Sequence, residues 1–426
     1  MYDIIIKNGY VINMIDKNPK IVDLFIENGK IVKIGKAEDE KAKKIIDATN
    51  MAVLPGLINC HNHAAMTIFR GYSDDTELMN WLKNKIWPIE DRLQSNDIYN
   101  ASKLACIEML KSGTTTFNDM YFFMEDVAKA AKETNIRAML GRCVMDVKNS
   151  DDIRLAEARR LYEKYNDTEK GKIKVNIAPH ALYTCNKEAI EECIKLCQEL
   201  DVPMHIHLDE TKTEHDQILK TYGMTPTKLL EKYGAFEKCK LILAHCVWVT
   251  DEDMQIIKKY NASVVHNPVS NCKLASGIAK INKMLELGIN VSLGTDGAGS
   301  TNTLDMFEEM RLCNYLQKVS TLDSTSIDAY EVLKMATING AKTLGMEKEI
   351  GSIEVGKKAD IILVDMSKSH QNPLHDVISN LVYTTTGADV LTTIVDGNIV
   401  MENRQINNVD EKETIKKCND ILPLYF

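Results

Sequence analysis

At residues 52–63 the chain reads Ala-Val-Leu-Pro-Gly-Leu-Ile-Asn-Cys-His-Asn-His, an apolar run that ends in two histidines separated by one residue. In a β-strand, residues i and i+2 point to the same face, so the imidazoles of His61 and His63 converge on one point. Later apolar runs end on similar groups, namely His207 with Glu210, His245, and Asp296. Nitrogen and oxygen donors at strand ends are what a catalytic divalent metal needs, with one position left for water. The pattern predicts a metal-dependent hydrolase.

Strand-like apolar runs alternate with segments of helical period from residue 53 to about residue 345, which is typical of a parallel sheet built from βα units. The eight predicted strands are Val53–Cys60, Thr114–Asn118, Arg137–Val144, Lys172–Ala178, Val202–Leu208, Lys240–His245, Ala262–His266 and Ile289–Thr295. Eight strands alternating with helices predict an α/β fold, the (β/α)₈ TIM barrel. In that fold the chemistry lies at the carboxyl ends of the strands, where the histidines and acids named above fall.

Both ends of the chain contain short alternating strands with tight turns between them. The predicted strands are Ile4–Lys7, Leu24–Glu27, Ile31–Ile34, Ala359–Val364, Leu391–Val395 and Ile399–Glu402. Because the barrel lies between the two sets, we predict a small β-sandwich built from both termini. The expected domains are residues 1–52 with 350–426 for the sandwich, and 53–349 for the catalytic barrel.

Composition narrows the class of partner. The 426 residues include 52 Lys and Arg against 61 Asp and Glu, a net charge of -9, which disfavours nucleic acid and favours a small-molecule substrate. The first residues do not resemble a secretory leader and no apolar run is long enough to span a membrane, so a cytoplasmic location with no membrane partner is expected. The 11 cysteines form no C-x-x-C pair, and we interpret them as reduced, with Cys193 and Cys197 on a buried helix face.

The residue types also suggest roles. A divalent ion held by imidazoles and a carboxylate lowers the pKa of bound water from near 16 to about 7, and Glu210 is placed to move the water proton to a substrate. We predict His61, His63, His207 and Asp296 as metal ligands, whereas the spacing leaves open whether His245 binds the metal or polarises the water. His205, His266 and His375 are interpreted as ordinary core or surface residues, His205 with a buried hydrogen-bonding role one layer below His207.

Four motifs together resemble the amidohydrolase superfamily: Pro-Gly-Leu-Ile-Asn-Cys-His-Asn-His at 55–63, His-Ile-His-Leu-Asp-Glu-Thr at 205–211, Leu-Ala-His-Cys at 243–246 and Gly-Thr-Asp-Gly-Ala at 294–298. Superfamily members that bridge two metals use a lysine on strand four, where this chain offers His180, so the resemblance implies one metal. Ala-Pro-His at 178–180 and Trp-Pro-Ile-Glu at 87–90 look like the 5-methylthioadenosine/S-adenosylhomocysteine deaminases. Those enzymes convert adenine nucleosides, 5′-deoxyadenosine among them, into inosine analogues and ammonia.

The resemblance also implies substrate contacts. Glu90 would bind the ribose hydroxyls and His180 the purine, while Trp81 and Trp87 would form an apolar wall around the 5′ substituent. Arg142 and Arg154 match positions that hold an amino-acid carboxylate, although Arg154 also fits an ordinary amphipathic helix. The metal is Zn²⁺ or Fe²⁺, with Zn²⁺ expected first. The family implies a homo-oligomer, often a tetramer, and leaves open which subunit supplies the two arginines.

The predicted reaction is attack of metal hydroxide on C6 of adenine. Glu210 would protonate N1 and then the departing amine, while Asp296 and His245 take up the changes in proton and charge. The sequence does not rank 5-methylthioadenosine, S-adenosylhomocysteine, 5′-deoxyadenosine and adenosine. A guanine, cytosine or triazine deaminase or chlorohydrolase of the same subgroup is the main alternative, and a non-catalytic scaffold is a remote one. A nucleic-acid deaminase would carry H-x-E with P-C-x-x-C, which this chain lacks.

Overall fold

A parallel sheet of eight strands forms the centre of the molecule, for which a computed structural model describes all 426 residues. We number its strands first to eighth along the chain: Leu57–Asn62, Thr114–Tyr121, Arg137–Val144, Ile173–Pro179, Met204–Leu208, Leu241–His245, Ser263–His266 and Asn290–Leu293. Each strand pairs in parallel with the next one in sequence. The predicted barrel is confirmed, and its third strand has the predicted bounds.

The first and eighth strands approach each other closely enough to bring the barrel near to closure. The peptide N–H of Asp296 donates to the carbonyl of His61 over 2.9 Å, and that of Thr295 donates to Asn59 Oδ1 over 3.0 Å. A Cβ at Gly294 would lie 2.8 Å from backbone atoms of His61, so this contact requires glycine. The closure places His61 beside Asp296.

Helices lie between the barrel strands and continue beyond the eighth. Those of six residues or more are Ser95–Lys111, Met124–Thr134, Ile153–Tyr165, Lys187–Leu200, Lys212–Tyr222, Pro226–Lys232, Asp251–Lys259, Pro268–Lys273, Ile281–Glu286, Met306–Thr321, Ala329–Met335, Ile338–Thr343, Val377–Tyr383 and Glu411–Tyr425. Lys187–Leu200 begins where Asn186 caps the N–H of Ala189, and its Cys193 and Cys197 are buried as predicted. No helix combines the length and the apolar character that crossing a membrane requires.

The two termini build a second sheet, as predicted. Its nine strands are Tyr2–Val11, Lys20–Glu27, Lys30–Gly35, Ala42–Asp47, Met51–Pro55, Ile361–Asp365, Val390–Val395, Asn398–Glu402 and Gln405–Ile406. The sheet is mixed, and strands from both ends of the chain bury apolar side chains in one shared core, for instance Ile4 and Leu24 with Ile361 and Ile394.

The predicted strand Val53–Cys60 is wrong, because the structure divides it into two strands. Met51–Pro55 pairs with Ile361–Asp365 in the terminal sheet, whereas Leu57–Asn62 belongs to the barrel. Between them, a Cβ at Gly56 would lie 2.1 Å from Thr115 Oγ1, so the chain passes directly against the second barrel strand. Both halves of the run are buried, so the hydrophobicity pattern shows no interruption at the break. The domain boundaries stay a prediction, and Met51–Pro55 crosses the expected one.

A buried ion pair joins the barrel to the terminal sheet. Arg137 begins the third strand, and its Nε and Nη2 donate to the two carboxylate oxygens of Asp360 over 2.9 and 3.0 Å. The side chains are only 1% and 2% exposed, and the N–H of Asp396 also donates to Asp360 over 2.7 Å. Both carboxylate oxygens of Asp360 therefore have a donor.

Candidate active site

Side chains from the carboxyl ends of four barrel strands converge on one point. Asp296 Oδ1 lies 3.1 Å from His63 Nε2 and 3.5 Å from His61 Nε2, and His63 Nε2 lies 3.3 Å from His207 Nε2. The donor atoms of His61, His207 and His245 lie within 4.8 Å of one another, as do those of His61, His63 and Asp296. The structure thus brings together every residue that the sequence proposed as a ligand.

Hydrogen bonds fix which ring nitrogen faces this point. His63 Nδ1 donates to the carbonyl of Met120 over 2.6 Å, and His207 Nδ1 donates to the carbonyl of His180 over 2.8 Å. His245 Nδ1 donates to Asn271 Oδ1 over 2.9 Å. Because a neutral imidazole carries one N–H, each of these rings in its neutral form presents a bare Nε2 lone pair to the cluster.

His61 supplies an observation that tests whether a metal fits. Its Nδ1 lies 2.9 Å from Nε2 of His205, while its own Nε2 is buried and has no hydrogen-bond partner. An unpartnered polar atom in the interior costs free energy unless a ligand satisfies it. A divalent ion among these nitrogen and oxygen donors would do so, and the donor set suits Zn²⁺ or Fe²⁺.

The pKa values of the histidines agree with this fit. Burial lowers the pKa of His61 to about 3 and holds that of His207 well below its usual value, so both rings are in the neutral, metal-binding form at pH 7. Burial also disfavours charge on His63, but its hydrogen bond to Asp296 raises the pKa of His63 to about 9. In the metal-free protein a proton therefore lies between His63 and Asp296.

Two serines that the sequence interpretation missed hold Asp296. Ser270 Oγ and Ser300 Oγ donate to Asp296 Oδ2 over 2.6 and 3.0 Å, which leaves Oδ1 for the histidines. Asp296 itself has φ +64°, in the left-handed region. Ser300 follows it by four residues, but serine is too common near strand ends for that spacing to have identified it.

Above the histidines lies a cavity. It brings together nine of the predicted site residues: His63, Trp81, Trp87, Glu90, His180, His207, Glu210, His245 and Asp296. His61 does not line the cavity and is fully buried. His205 is fully buried as well, and its ring contacts His61 and Asn118, as predicted. His266 is buried at the end of the seventh strand, and His375 is exposed.

Glu210 stands at the cavity wall, with Oε2 3.9 Å from His245 Nε2. The side chain is buried, and burial raises the pKa of Glu210 above its usual value. A carboxyl group with a raised pKa can both accept and return a proton near neutral pH. The geometry therefore allows the proton transfer that the sequence suggested.

Glu90 approaches the same cavity from the segment after the first barrel strand. It ends the short helix Trp87–Glu90, and the hydroxyl of Tyr121 donates to its Oε1. Burial raises the pKa of Glu90 to about 7, although the bond from Tyr121 opposes that shift. Tyr121 was missed because the second strand extends three residues beyond its predicted end at Asn118.

Arg142 and Arg154 do not line this cavity. They line a neighbouring cavity, which shares Trp87 and Glu90 with the first. Arg142 Nε donates to Glu157 over 2.6 Å, and Arg154 Nη2 donates to Asp152 over 2.8 Å. Arg154 also lies on the helix Ile153–Tyr165, so both interpretations of its position are compatible with the structure.

Comparison with known proteins assigns the chain to a protein family. Residues 52–400 match the model of the amidohydrolase family, and the chain belongs to that family. It is 45% identical to the 5-methylthioadenosine/S-adenosylhomocysteine deaminase of Syntrophomonas wolfei, over 97% of this chain and 94% of that one. It is 46% identical to the 5′-deoxyadenosine deaminase of Methanosarcina acetivorans, over 98% and 97% of the two chains.

A solved structure extends the comparison to three dimensions. An adenosine deaminase from Xanthomonas campestris with bound zinc superposes with a TM-score of 0.95 at 33% identity, covering 100% of this chain and 98% of that one. The resemblance drawn from the motifs is therefore confirmed. The chain is an enzyme, a hydrolase that acts on C–N bonds and is similar to deaminases of adenine nucleosides.

Proposed function

We propose that this enzyme hydrolytically deaminates adenine nucleosides that derive from S-adenosylmethionine. The substrate class comprises 5-methylthioadenosine, S-adenosylhomocysteine, 5′-deoxyadenosine and adenosine, and the products are the inosine analogues and ammonia. One observation carries the proposal: Glu90 lines the same cavity as Glu210 and the histidine cluster. A carboxylate there can accept hydrogen bonds from two vicinal ribose hydroxyls, which a free base lacks.

One divalent metal belongs to the proposal. His61, His63, His207 and Asp296 would hold it, with His245 beside them. Zn²⁺ is the first candidate because the similar Xanthomonas structure contains it, and Fe²⁺ suits the same donors. Bound there, the ion lowers the pKa of water to about 7 and supplies hydroxide at neutral pH.

The protein's own groups supply the proton transfers. Glu210 takes one proton from water and delivers it to N1 of the purine, where the product keeps it, and its raised pKa suits this step. The second proton, left on the oxygen that adds to C6, passes through Asp296 and Glu210 to the departing amine, which leaves as ammonia. Asp296 accepts a proton on Oδ1, while the two serine hydroxyls donate hydrogen bonds to its Oδ2. His245 Nε2, 3.9 Å from Glu210 Oε2, would either bind the metal or polarise the attacking water.

The remaining contacts select the nucleoside. His180 Nδ1 bonds to Thr184 Oγ1 over 2.7 Å, which leaves Nε2 for a purine nitrogen. Trp81 and its apolar neighbours exclude water around the base and the 5′ substituent. Arg142 and Arg154 bind the carboxylate of S-adenosylhomocysteine in the adjoining cavity. Both line a cavity of their own chain, which supports action within one subunit.

The test follows the ultraviolet shift from adenine to hypoxanthine with purified, zinc-loaded enzyme. Adenosines that differ only at the 5′ position form the panel, with guanine and cytosine as controls. Turnover of several 5′-modified adenosines is expected. Turnover of a free base without any adenosine would overturn the role of Glu90 and favour the guanine or cytosine alternative. Light scattering tests the homotetramer that the family resemblance implies, and the cytoplasmic location stays a prediction.

A further inference from the structure

A second buried glutamate, Glu214, lies directly behind Glu210. Its Oε2 accepts the peptide N–H of Glu210 over 2.8 Å, and its Oε1 accepts that of Asp209 over 3.2 Å. Its side chain is 3% exposed. No lysine or arginine forms an ion pair with Glu214. In the structure its carboxyl group accepts hydrogen bonds from these two peptide N–H groups.

The backbone at Asp209 explains why two N–H groups point the same way. Asp209 has φ +55°, in the left-handed region, where successive N–H groups form a concave site for an anion. In this chain the carboxyl group of Glu214 occupies that site in place of a ligand, and burial raises its pKa to about 8. The other groups of Asp209 are also fixed, since His215 Nδ1 lies 2.9 Å from its Oδ1 and the N–H of Trp248 donates to its carbonyl over 3.0 Å.

Glu214 is itself anchored. It is the third residue of the helix Lys212–Tyr222, and Thr211 Oγ1 caps its N–H over 3.1 Å. The helix start and the strand-end residue Glu210 are therefore joined through one carboxyl group. A residue in a strained backbone conformation, such as Asp209, keeps that conformation only when the surrounding structure stabilises it.

We propose that Glu214 is the positioning residue for Glu210, holding the 209–210 peptide so that the Glu210 carboxylate faces the substrate cavity. This inference rests on the proposed function, in which Glu210 transfers protons. Misplacing a reacting group by 1 Å can lower a rate about 100-fold. Loss of this anchor should therefore lower kcat while leaving KM and the metal donors unchanged.

The experiment compares Glu214→Gln with Asp305→Asn. Asp305 is a matched control because its carboxylate also accepts two peptide N–H groups, those of Phe307 and Gly387 over 2.9 and 2.8 Å, and it lines neither cavity. Each amide variant replaces one accepting oxygen by NH₂. We expect kcat about 100-fold lower for Glu214→Gln, with KM within twofold, full metal content and a Tm like that of Asp305→Asn, whose kcat should match wild type.

Two further measurements separate positioning from folding. Glu214→Asp keeps the carboxyl group but withdraws it by one methylene, and it should also lose kcat. In the Glu210→Gln background, Glu214→Gln should cause no further loss, because the group that it positions is already inactive. Crystal structures of wild type and Glu214→Gln should show the residue-210 carboxyl displaced by about 1 Å.

Three outcomes would overturn the role of Glu214: a kcat within threefold of wild type, an equal loss in Asp305→Asn, or loss of metal in proportion to activity. Wild-type silence on every adenosine would instead overturn the proposed function. The same variants would then be compared on the free base that the enzyme turns over, and the crystallographic comparison would still decide whether Glu214 positions residue 210.

Discussion

Two buried clusters, one at each end of the barrel, differ in how their polar groups are satisfied. At the amino end, Arg137 and Asp360 satisfy each other with two hydrogen bonds. At the carboxyl end, His61 Nε2 is buried without a partner, and Asp296 Oδ1 meets only two imidazoles and one peptide N–H. Hydroxyl groups without a partner also occur at the amino end, for instance those of Thr114 and Thr116. The carboxyl-end cluster differs from them because its unpartnered nitrogen lies among several convergent donors, which marks a place for a ligand.

The backbone shows the same contrast. Asp209, His245 and Asp296 have φ values of +55°, +72° and +64°, and each follows or ends a barrel strand. Left-handed backbone at a non-glycine residue costs about 1–3 kcal/mol. Near the amino ends, Asn135 and Asp201 are also left-handed, but they end the helices Met124–Thr134 and Lys187–Leu200, where this conformation is common. Left-handed backbone at the carboxyl end therefore directs side chains of the site, whereas at the amino end it ends helices.

The largest effect that this contrast predicts is a loss of turnover in the Glu210→Gln variant. The amide has the shape of the carboxyl group but cannot carry the proton, so kcat should fall about 1000-fold or more. Metal content should stay at one per chain, because Glu210 is not among the predicted ligands. Steady-state kinetics and elemental analysis of the same preparation provide the measurement.

Glu108→Gln is the control for that change. Glu108 pairs with Arg70 outside the cavity, so this variant should keep wild-type turnover. Normal turnover in Glu210→Gln would contradict the proton-transfer mechanism.

The amino end should respond in stability instead. Arg137→Met leaves the buried Asp360 carboxylate without its cation, and removing one partner of a buried pair costs about 3–5 kcal/mol. Urea denaturation should show that loss, while kcat and KM stay within twofold of wild type. Arg159→Met breaks an exposed pair with Glu199 and should cost less than about 1 kcal/mol. If Arg137→Met instead lost turnover at unchanged stability, the assignment of roles to the two ends would be wrong.

The division between the ends also limits what the sequence could predict. His61, His63, His207, His245 and Asp296 were identifiable because barrel chemistry lies at strand ends and each of them follows an apolar run. Other site residues were not, because their roles depend on neighbours in space: Tyr121, Ser270, Ser300 and Glu214. The sequence did not predict the break between strands at Gly56, because the residues on either side of it are buried in two different sheets.

A smaller effect concerns the pH dependence of substrate binding. Burial raises the pKa of Glu90 to about 7, so the carboxylate that accepts ribose hydroxyls is present above pH 7 and is lost as the pH falls through that value. Between pH 8 and pH 6 the ionised fraction drops about tenfold, and KM for adenosines should rise by a similar factor. Initial rates across a pH series measure this change.

Two comparisons isolate Glu90 from the other titrating groups. A 2′,3′-dideoxyadenosine substrate lacks both hydroxyls and should show a weaker rise in KM, as should the Glu90→Gln variant. Tyr121→Phe removes the hydrogen bond that lowers the pKa of Glu90, so the transition should move to higher pH. An unchanged transition in Glu90→Gln would assign the titration to a different group.

The smallest expected effect lies at the edge of the carboxyl-end cavity, where Arg142 is paired with Glu157 over 2.6 Å. Arg142→Met should lower kcat/KM for S-adenosylhomocysteine about fivefold relative to 5-methylthioadenosine, since a partly exposed ion pair contributes about 1 kcal/mol. Glu157→Gln frees the guanidinium and should move the ratio in the opposite direction. Arg160→Met, which breaks an exposed pair with Glu125, should leave the ratio unchanged. If Arg142→Met and Arg160→Met gave the same ratio, Arg142 would belong with the satisfied structural pairs of the amino end and not with the incomplete groups of the site.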